Sequence, residues 1–416
     1  MYSFIEIKTK QGILRGKHDE NLSKFHGIPY AKAKRFQYPE PADSWDGVRI
    51  ATEPGAICPQ LPSRLEMVMG SPGERIMSED CHNLSIYTPN INGRKPVMVW
   101  IHGGAYVSGG GEEPWYDASR LAKEGNIVTV TITYRLGIFG YLTLPEKGVI
   151  NLGLEDQIAA LHWIKNNIEQ FGGNSDDITV FGQSAGGQSI VSILSVLKQP
   201  LFRRAIIQSA PLGLVLNPNE ANNITNEFLK VLDKDPLSAS TSELLNAQRI
   251  ILKNSERGIT FGPVGIDIYK SSITSLNSID ILIGWTKDDG SPFVAMRKNK
   301  SGPDFGTYFD KLLTAIVTKY VFVKPSSKYA KYLKKQGANV LFYEIGWRPE
   351  GSIFRATHCL ELSLLFGFNE TWINSPMIGN TSNQELEKRG FEIRKVWIEF
   401  AKKGKLPDVP NWLYHF

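Results

Sequence analysis

Apolar positions along this chain fall into two regimes. In roughly the first 60 residues they alternate with polar ones, as in Tyr2-Ser3-Phe4-Ile5-Glu6-Ile7-Lys8, and Gly27, Pro29, Pro39, Pro41, Gly47 and Pro54 break the runs. Alternation of period two with frequent turn residues predicts short antiparallel strands at the edge of a sheet. Beyond this the runs become continuous: Pro96–Ile101, Ile127–Ile132, Ile178–Phe181, Arg204–Ser209, Ile279–Trp285 and Asn339–Ile345. Unbroken apolar or β-branched runs of this length predict strands covered on both faces, which is the pattern of a mostly parallel sheet. Helical periodicity lies between them. Ile158, Leu161, Trp163, Ile164 and Ile168 mark a helix over Leu154–Phe171, stopped by Gly172-Gly173; Ser189–Leu197 reads as another, and Glu385–Lys403 as a last one ending at Gly404. Segments of about 211–275 and 294–336 lack long β runs and are rich in helix formers, so they predict helical excursions that form a reduced cap. The expectation is an α/β fold with a mostly parallel central sheet, an antiparallel N-terminal edge and helices on both faces. Residues 1–416 then form a single domain, since no repeat or low-complexity linker divides them.

Composition narrows the function. The 416 residues are 42% hydrophobic and 21% charged, with a net charge of +5 from 47 basic and 42 acidic residues. That charge is spread along the chain without a basic stripe, so a nucleic-acid partner is not expected. No uncharged apolar run reaches the roughly 18 residues needed to span a bilayer, so no membrane insertion is expected. The alternating start with Glu6 reads as mature protein and suggests a cytoplasmic location. Cys58, Cys81 and Cys359 match no zinc spacing, and no metal site is expected. The Gly103–Gly111 segment lacks the Gly-Lys-Ser/Thr of a phosphate loop.

One motif carries the chemistry. Gly182-Gln183-Ser184-Ala185-Gly186-Gly187 follows the run Ile178–Phe181 directly and precedes a helix. A G-x-S-x-G match alone occurs by chance in about one chain in seven of this length. Between a strand and a helix, however, it reads as a nucleophile elbow with Ser184 on a sharp turn. A serine hydroxyl is a weak nucleophile at neutral pH and needs an imidazole to take its proton and a carboxylate to orient that imidazole. Two histidines follow Ser184. His415 is one residue from the end, where chains fray, so His358 is the expected base. Asp289, after the run Ile279–Trp285, is the candidate acid, with Asp288 its direct competitor. Charge on the substrate carbonyl oxygen requires waiting N–H donors. Ala185 supplies one, and His102-Gly103-Gly104-Ala105, which resembles the H-G-G-G donor loop of lipases and esterases, offers Gly104 and Ala105. Tyr106, Trp115 and Phe293 adjoin these motifs as candidate walls of a substrate pocket.

The resemblance extends along almost the whole chain. Gly27–Ala31, Glu79-Asp80-Cys81, Trp100–Ala105, Asn151–Leu154 with Asp156-Gln157, Phe171–Asn174, the elbow, Gly284–Gly290, His358 with Glu361-Leu362, and Trp397 with Phe400-Ala401 occur in order. With these the chain resembles the type-B carboxylesterases, the cholinesterase-like branch of the α/β-hydrolases, and among them bacterial para-nitrobenzyl esterases. The resemblance implies the α/β-hydrolase fold and a serine carboxylesterase that acylates Ser184 and deacylates it with water, acting on a small-molecule ester without a cofactor. It favours Asp289 over Asp288 as the acid. It also matches Cys58 and Cys81 to a disulfide of secreted relatives, although free thiols are expected in a reducing cytoplasm. Three departures stand out: Asp289 and Gln183 occupy positions where Glu is more usual, and the chain is trimmed around 211–275 and beyond Trp412. Amide, carbamate or lactone cleavage would use the same mechanism. A non-catalytic interaction protein of this family would lack part of the serine, acid and histidine set.

Overall fold

The computed structural model describes residues 2–19, 21–255, 259–273, 276–297, 305–367 and 370–415. Among the described residues, twelve strands form one sheet: β1 (Ser3–Lys8), β2 (Ile13–Asp19), β3 (Leu22–Pro29), β4 (Val48–Ile50), β5 (Asn83–Thr88), β6 (Lys95–Ile101), β7 (Val128–Ile132), β8 (Gly173–Gln183), β9 (Arg204–Gln208), β10 (Asp280–Thr286), β11 (Asn339–Ile345) and β12 (Leu413–His415). Their spatial order is β1-β2-β3-β5-β7-β6-β8-β9-β10-β11-β12, with β4 alongside β2. The strands from β7 through β11 run parallel, whereas the pairs β1/β2, β2/β3, β3/β5 and β5/β7 are antiparallel.

The helices that follow are α1 (Ser119–Gly125), α2 (Leu152–Asn167), α3 (Ala185–Val196), α4 (Pro218–Leu232), α5 (Thr241–Asn254), α6 (Ser291–Arg297), α7 (Tyr308–Val317), α8 (Lys324–Lys335), α9 (Leu360–Leu365) and α10 (Asn383–Lys403). Pleating divides the central strands between two cores. Val97, Val99 and Ile101 of β6 pack on one face with α2, α3 and α8, while Met98 and Trp100 pack on the other with α1, α9 and α10. Both faces of a parallel sheet must be covered, and this is why β7 and β9 are buried at every position. The helix ends are encoded locally. Asn217 and Ser240 each close a capping box, with Glu220 and Glu243, at the starts of α4 and α5. Gly404 ends α10 in the left-handed conformation.

The 211–275 and 294–336 segments carry α4, α5, α7, α8 and most of α6. Their parts at 256–258, 274–275 and 298–304 lie outside the described residues. The fraying expected at the C-terminus does not occur around His415. That residue sits in β12, where Ile345↔Leu413 and Tyr343↔His415 pair antiparallel, and hydrogen bonding to β11 holds the end of the chain against the sheet edge. No helix among the described residues is long and apolar enough to cross a membrane.

Candidate active site

β8 delivers Ser184 to the carboxyl end of the sheet, and α3 starts at the next residue. Ser184 has φ 57 and ψ −121, a conformation that costs a non-glycine residue of order 1–3 kcal/mol and persists because the surroundings fix it. The reason for the glycine at 186 is steric. A Cβ there would lie 2.0 Å from the carbonyl oxygen of Ile101, so only glycine lets α3 cross so close to β6. As the first residue of α3, Ala185 has a backbone N–H without an intrahelical acceptor.

The loop after β6 approaches the elbow from the neighbouring strand. Gly104 adopts φ 108, and a Cβ on it would lie 1.9 Å from the Ser108 carbonyl oxygen; Ala105 follows at φ 54. His102 anchors this loop. It stacks on Tyr134 at 4.3 Å, its Nδ1 donates to the Gly103 carbonyl at 2.8 Å, and the Tyr134 hydroxyl donates to the His102 carbonyl at 2.7 Å. Burial pushes the His102 pKa down to about 4, so the ring is neutral and serves the loop as a rigid plate.

Asp289 and His358 come together from the loops after β10 and β11, and both are fully buried. An ionised carboxylate accepts only, so His358 Nδ1–H donates to Asp289 Oδ1, at 2.7 Å. The other carboxylate oxygen accepts from the Ser209 hydroxyl at 2.8 Å and from the Thr286 N–H at 3.0 Å. With its lone pairs satisfied in this way, the carboxylate is fixed in position. Asp288 turns away from the imidazole. It accepts from Arg348 Nε at 2.9 Å and from the Ala356 N–H at 3.2 Å, and it lies 3.4 Å from the Arg355 guanidinium. Asp288 thus ties down the loop that carries His358, while Asp289 touches the ring.

On the far side of that ring, His358 Nε2 lies 3.0 Å from the amide nitrogen of Gln183. With Nδ1 donating to Asp289, Nε2 of the neutral ring accepts from this amide. The rings of Phe293 and Phe322 flank the imidazole at 5.2 Å each.

A cavity of about 360 Å³ opens over Ser184, Gly104 and Ala105, with apolar walls from Leu61, Leu65, Val107, Leu252, Phe293 and Met296. Of the three aromatic residues expected beside it, Phe293 lines this cavity. Trp115 lines a smaller one of about 20 Å³ behind Gln183, and its ring stacks on Trp372. Tyr106 is a core residue instead: it is fully buried, packs on Tyr141 at 4.8 Å and accepts from Ser189 Oγ at 3.4 Å. Tyr106 itself has a left-handed φ of 62.

Two buried features near the site were not singled out as chemistry in the sequence. Arg135 grips Asp156 with two nitrogens, at 2.7 and 2.6 Å, and His82 Nε2 stands 3.1 Å from the same carboxylate. Burial raises the Asp156 pKa, but Arg135 and His82 outweigh it and hold the carboxyl well below its usual range. Glu361 is buried on α9, and burial, with the charge of Asp289 adding to it, pushes its pKa up to about 8. The signal for both was a charged residue inside an apolar segment. Cys58, Cys81 and Cys359 are buried free thiols. Among the described residues no group of three or more His, Cys, Asp and Glu side chains is arranged to hold a metal ion.

Comparison with known proteins agrees with this architecture. The model of the carboxylesterase family matches residues 3–312. The chain is similar to a probable N-octanoylanthranilate hydrolase of Rhodococcus erythropolis, 37% identical across 99% of this chain and 96% of that one. It is also similar to the para-nitrobenzyl esterase of Bacillus subtilis, 34% identical across 98% and 92%. Among solved structures, a PNB esterase superposes with a TM-score of 0.86 at 30% identity, covering 99% of this chain and 93% of the other. A Geobacillus stearothermophilus carboxylesterase does so with 0.79 at 33%, covering 97% and 93%. A serine on a strained strand-to-helix turn of a doubly covered parallel sheet, full-length relatives and a family match over most of the sequence lead to one conclusion: the chain belongs to the carboxylesterase family and is a carboxylic ester hydrolase of the α/β-hydrolase fold.

Proposed function

We propose that Ser184 is the nucleophile, His358 the base and Asp289 the acid of a serine esterase. The observation that carries this reading is the 2.7 Å bond from His358 Nδ1 to Asp289, which aims the opposite nitrogen of the ring at the elbow residues. In the first half-reaction Ser184 Oγ attacks the ester carbonyl carbon and its proton passes to His358 Nε2. Asp289 stabilises the imidazolium that forms. The negative charge on the carbonyl oxygen is met by the N–H groups of Gly104, Ala105 and Ala185, donors already in place before the charge develops. His358 then protonates the leaving alkoxide. Water, activated by the same ring, cleaves the acyl-serine in the second half.

Before the first proton transfer His358 Nε2 must exchange the Gln183 amide for Ser184 Oγ.

The chain is read as one catalytic domain, 1–416. Its 211–275 segment contributes Arg249, Leu252 and Lys253 of α5 to the cavity wall, and α6 contributes Phe293 and Met296. These insertions therefore act as a cap, and the apolar walls suit the acyl or alcohol part of a small ester. Cleavage of an amide is a second reading, since one relative is named for hydrolysis of an N-octanoyl compound. Acyl-enzyme chemistry is common to both.

Ser184→Ala tests the assignment. It is expected to abolish hydrolysis of p-nitrophenyl butanoate and labelling by a fluorophosphonate while the far-UV circular dichroism is unchanged; a folded variant with full activity overturns it.

A further inference from the structure

The cavity over Ser184 is not electrically neutral at its mouth. Alongside its apolar walls it is lined by three cations, Arg64, Arg249 and Lys253, and among its described lining residues there is no Asp or Glu. Lys253 lies in the last turn of α5, where a basic residue is favourable against the helix dipole whatever the function. That explanation does not reach Arg64. It belongs to a separate segment, before the short helix Glu66–Met69, and lines the same cavity. All three side chains are solvent-exposed. Arg249 donates to the Asn246 amide at 3.1 Å, and neither Arg64 nor Lys253 pairs with an acid among the described residues. Three positive charges around an apolar opening raise the local concentration of anions there, and the low-dielectric walls focus the field.

Resting on the esterase reading above, we propose that this site selects esters that carry a carboxylate. The apolar part of the substrate occupies the space between Leu65, Val107 and Phe293, the scissile carbonyl reaches Ser184, and the carboxylate stays at the mouth among Arg64, Arg249 and Lys253. The anion takes no part in bond making or breaking. It contributes to binding, so the effect belongs in KM. An exposed charge pair is worth about two- to threefold each, so three cations acting together give about tenfold.

The test compares matched esters that differ by one charge. On the alcohol side these are 3-butanoyloxybenzoate and 3-butanoyloxybenzamide; on the acyl side they are the mono-4-methylumbelliferyl ester of adipic acid and its terminal amide. Rates are normalised to hydroxide-catalysed hydrolysis. The expected result is that the carboxylate of at least one pair has a kcat/KM about tenfold above that of its amide at low salt, through KM. At about 0.5 M salt, where the screening length is only a few ångströms, most of that preference is lost. In the triple variant Arg64→Gln, Arg249→Gln, Lys253→Gln the ratio is expected to fall to about one. Because the salt series uses the unmodified protein, it does not depend on the variant folding. If the amides are turned over as well as the carboxylates in both pairs, the selectivity proposal is overturned and ester hydrolysis stands. If none of the four esters is cleaved, the esterase reading falls and this one with it.

Discussion

The side-chain amide of Gln183 sits 3.0 Å from Nε2 of His358, so the residue just before the elbow serine occupies the lone pair on which that serine's proton would land. A neutral amide holds the neutral ring through an N–H donor. A carboxylate in its place would have no proton to give and would favour the protonated ring.

Gln183→Glu is therefore expected to shift the acidic limb of the kcat/KM profile for a neutral ester to higher pH. A pH series from about 5 to 9 on the wild type and the variant measures this. Superimposable profiles would mean that the amide does not act on the ring during catalysis.

Asp288 and Asp289 are adjacent but hold different things. Asp289→Asn keeps the shape, but its amide oxygen is held by the Ser209 hydroxyl and the Thr286 N–H, so its NH₂ faces Nδ1 and the ring takes the wrong tautomer; kcat is expected to fall by about 10⁴ with little loss of thermal stability. Asp288→Asn removes a partly buried partner of Arg348 and Arg355 and is expected to lower Tm while keeping kcat within about tenfold. Reversal of the two outcomes would give the acid's role to Asp288.

Gly186→Ala is expected to destabilise the fold. Its methyl group would overlap the Ile101 carbonyl at 2.0 Å, and that oxygen is backbone of a central strand and cannot turn aside. Overpacking of this kind costs about 1–3 kcal/mol or more. Urea denaturation of the variant checks it, and unchanged stability would show that β6 and α3 separate more easily than their packing implies.

Glu361 makes stability depend on pH. Its folded pKa, about 8, is raised above the ordinary value of 4.5, so between these limits the folded state holds a proton that the unfolded chain has lost. Its contribution is complete below pH 4.5 and is lost as pH rises through about 8. Glu361→Gln is expected to flatten the fall in unfolding free energy across that window, measured by denaturant titration at several pH values. An equal slope in both proteins would assign the pH dependence to other groups.

The fold was legible because its signals are local. Continuous apolar runs marked β6 through β11, and Gly404 ended α10 where the glycine stood, whereas α2 ends at Asn167 and the chain tightens into a 3₁₀ turn, Ile168–Phe171, that Gly172 closes. The strand–G-x-S-x-G–helix succession located Ser184 because a sharp turn needs glycine at fixed offsets, and offsets are visible in a sequence. Pocket aromatics were less legible, because adjacency to a motif does not fix the direction of a side chain. Phe293 lines the cavity, and Tyr106, one residue past the donor loop, is turned into the core.

What the sequence by itself determined is thus the succession of elements and the strained position of Ser184, since both follow from short-range sterics and periodicity. Only the tertiary structure decided that Asp289 meets His358 while Asp288 holds Arg348 and Arg355, that Gln183 rests on the imidazole, and that β12 is pinned to the sheet edge at His415. Each of these is a contact across long sequence separation. Its geometry depends on how the loops after different strands are packed against one another, and neighbouring residues along the chain carry no record of that.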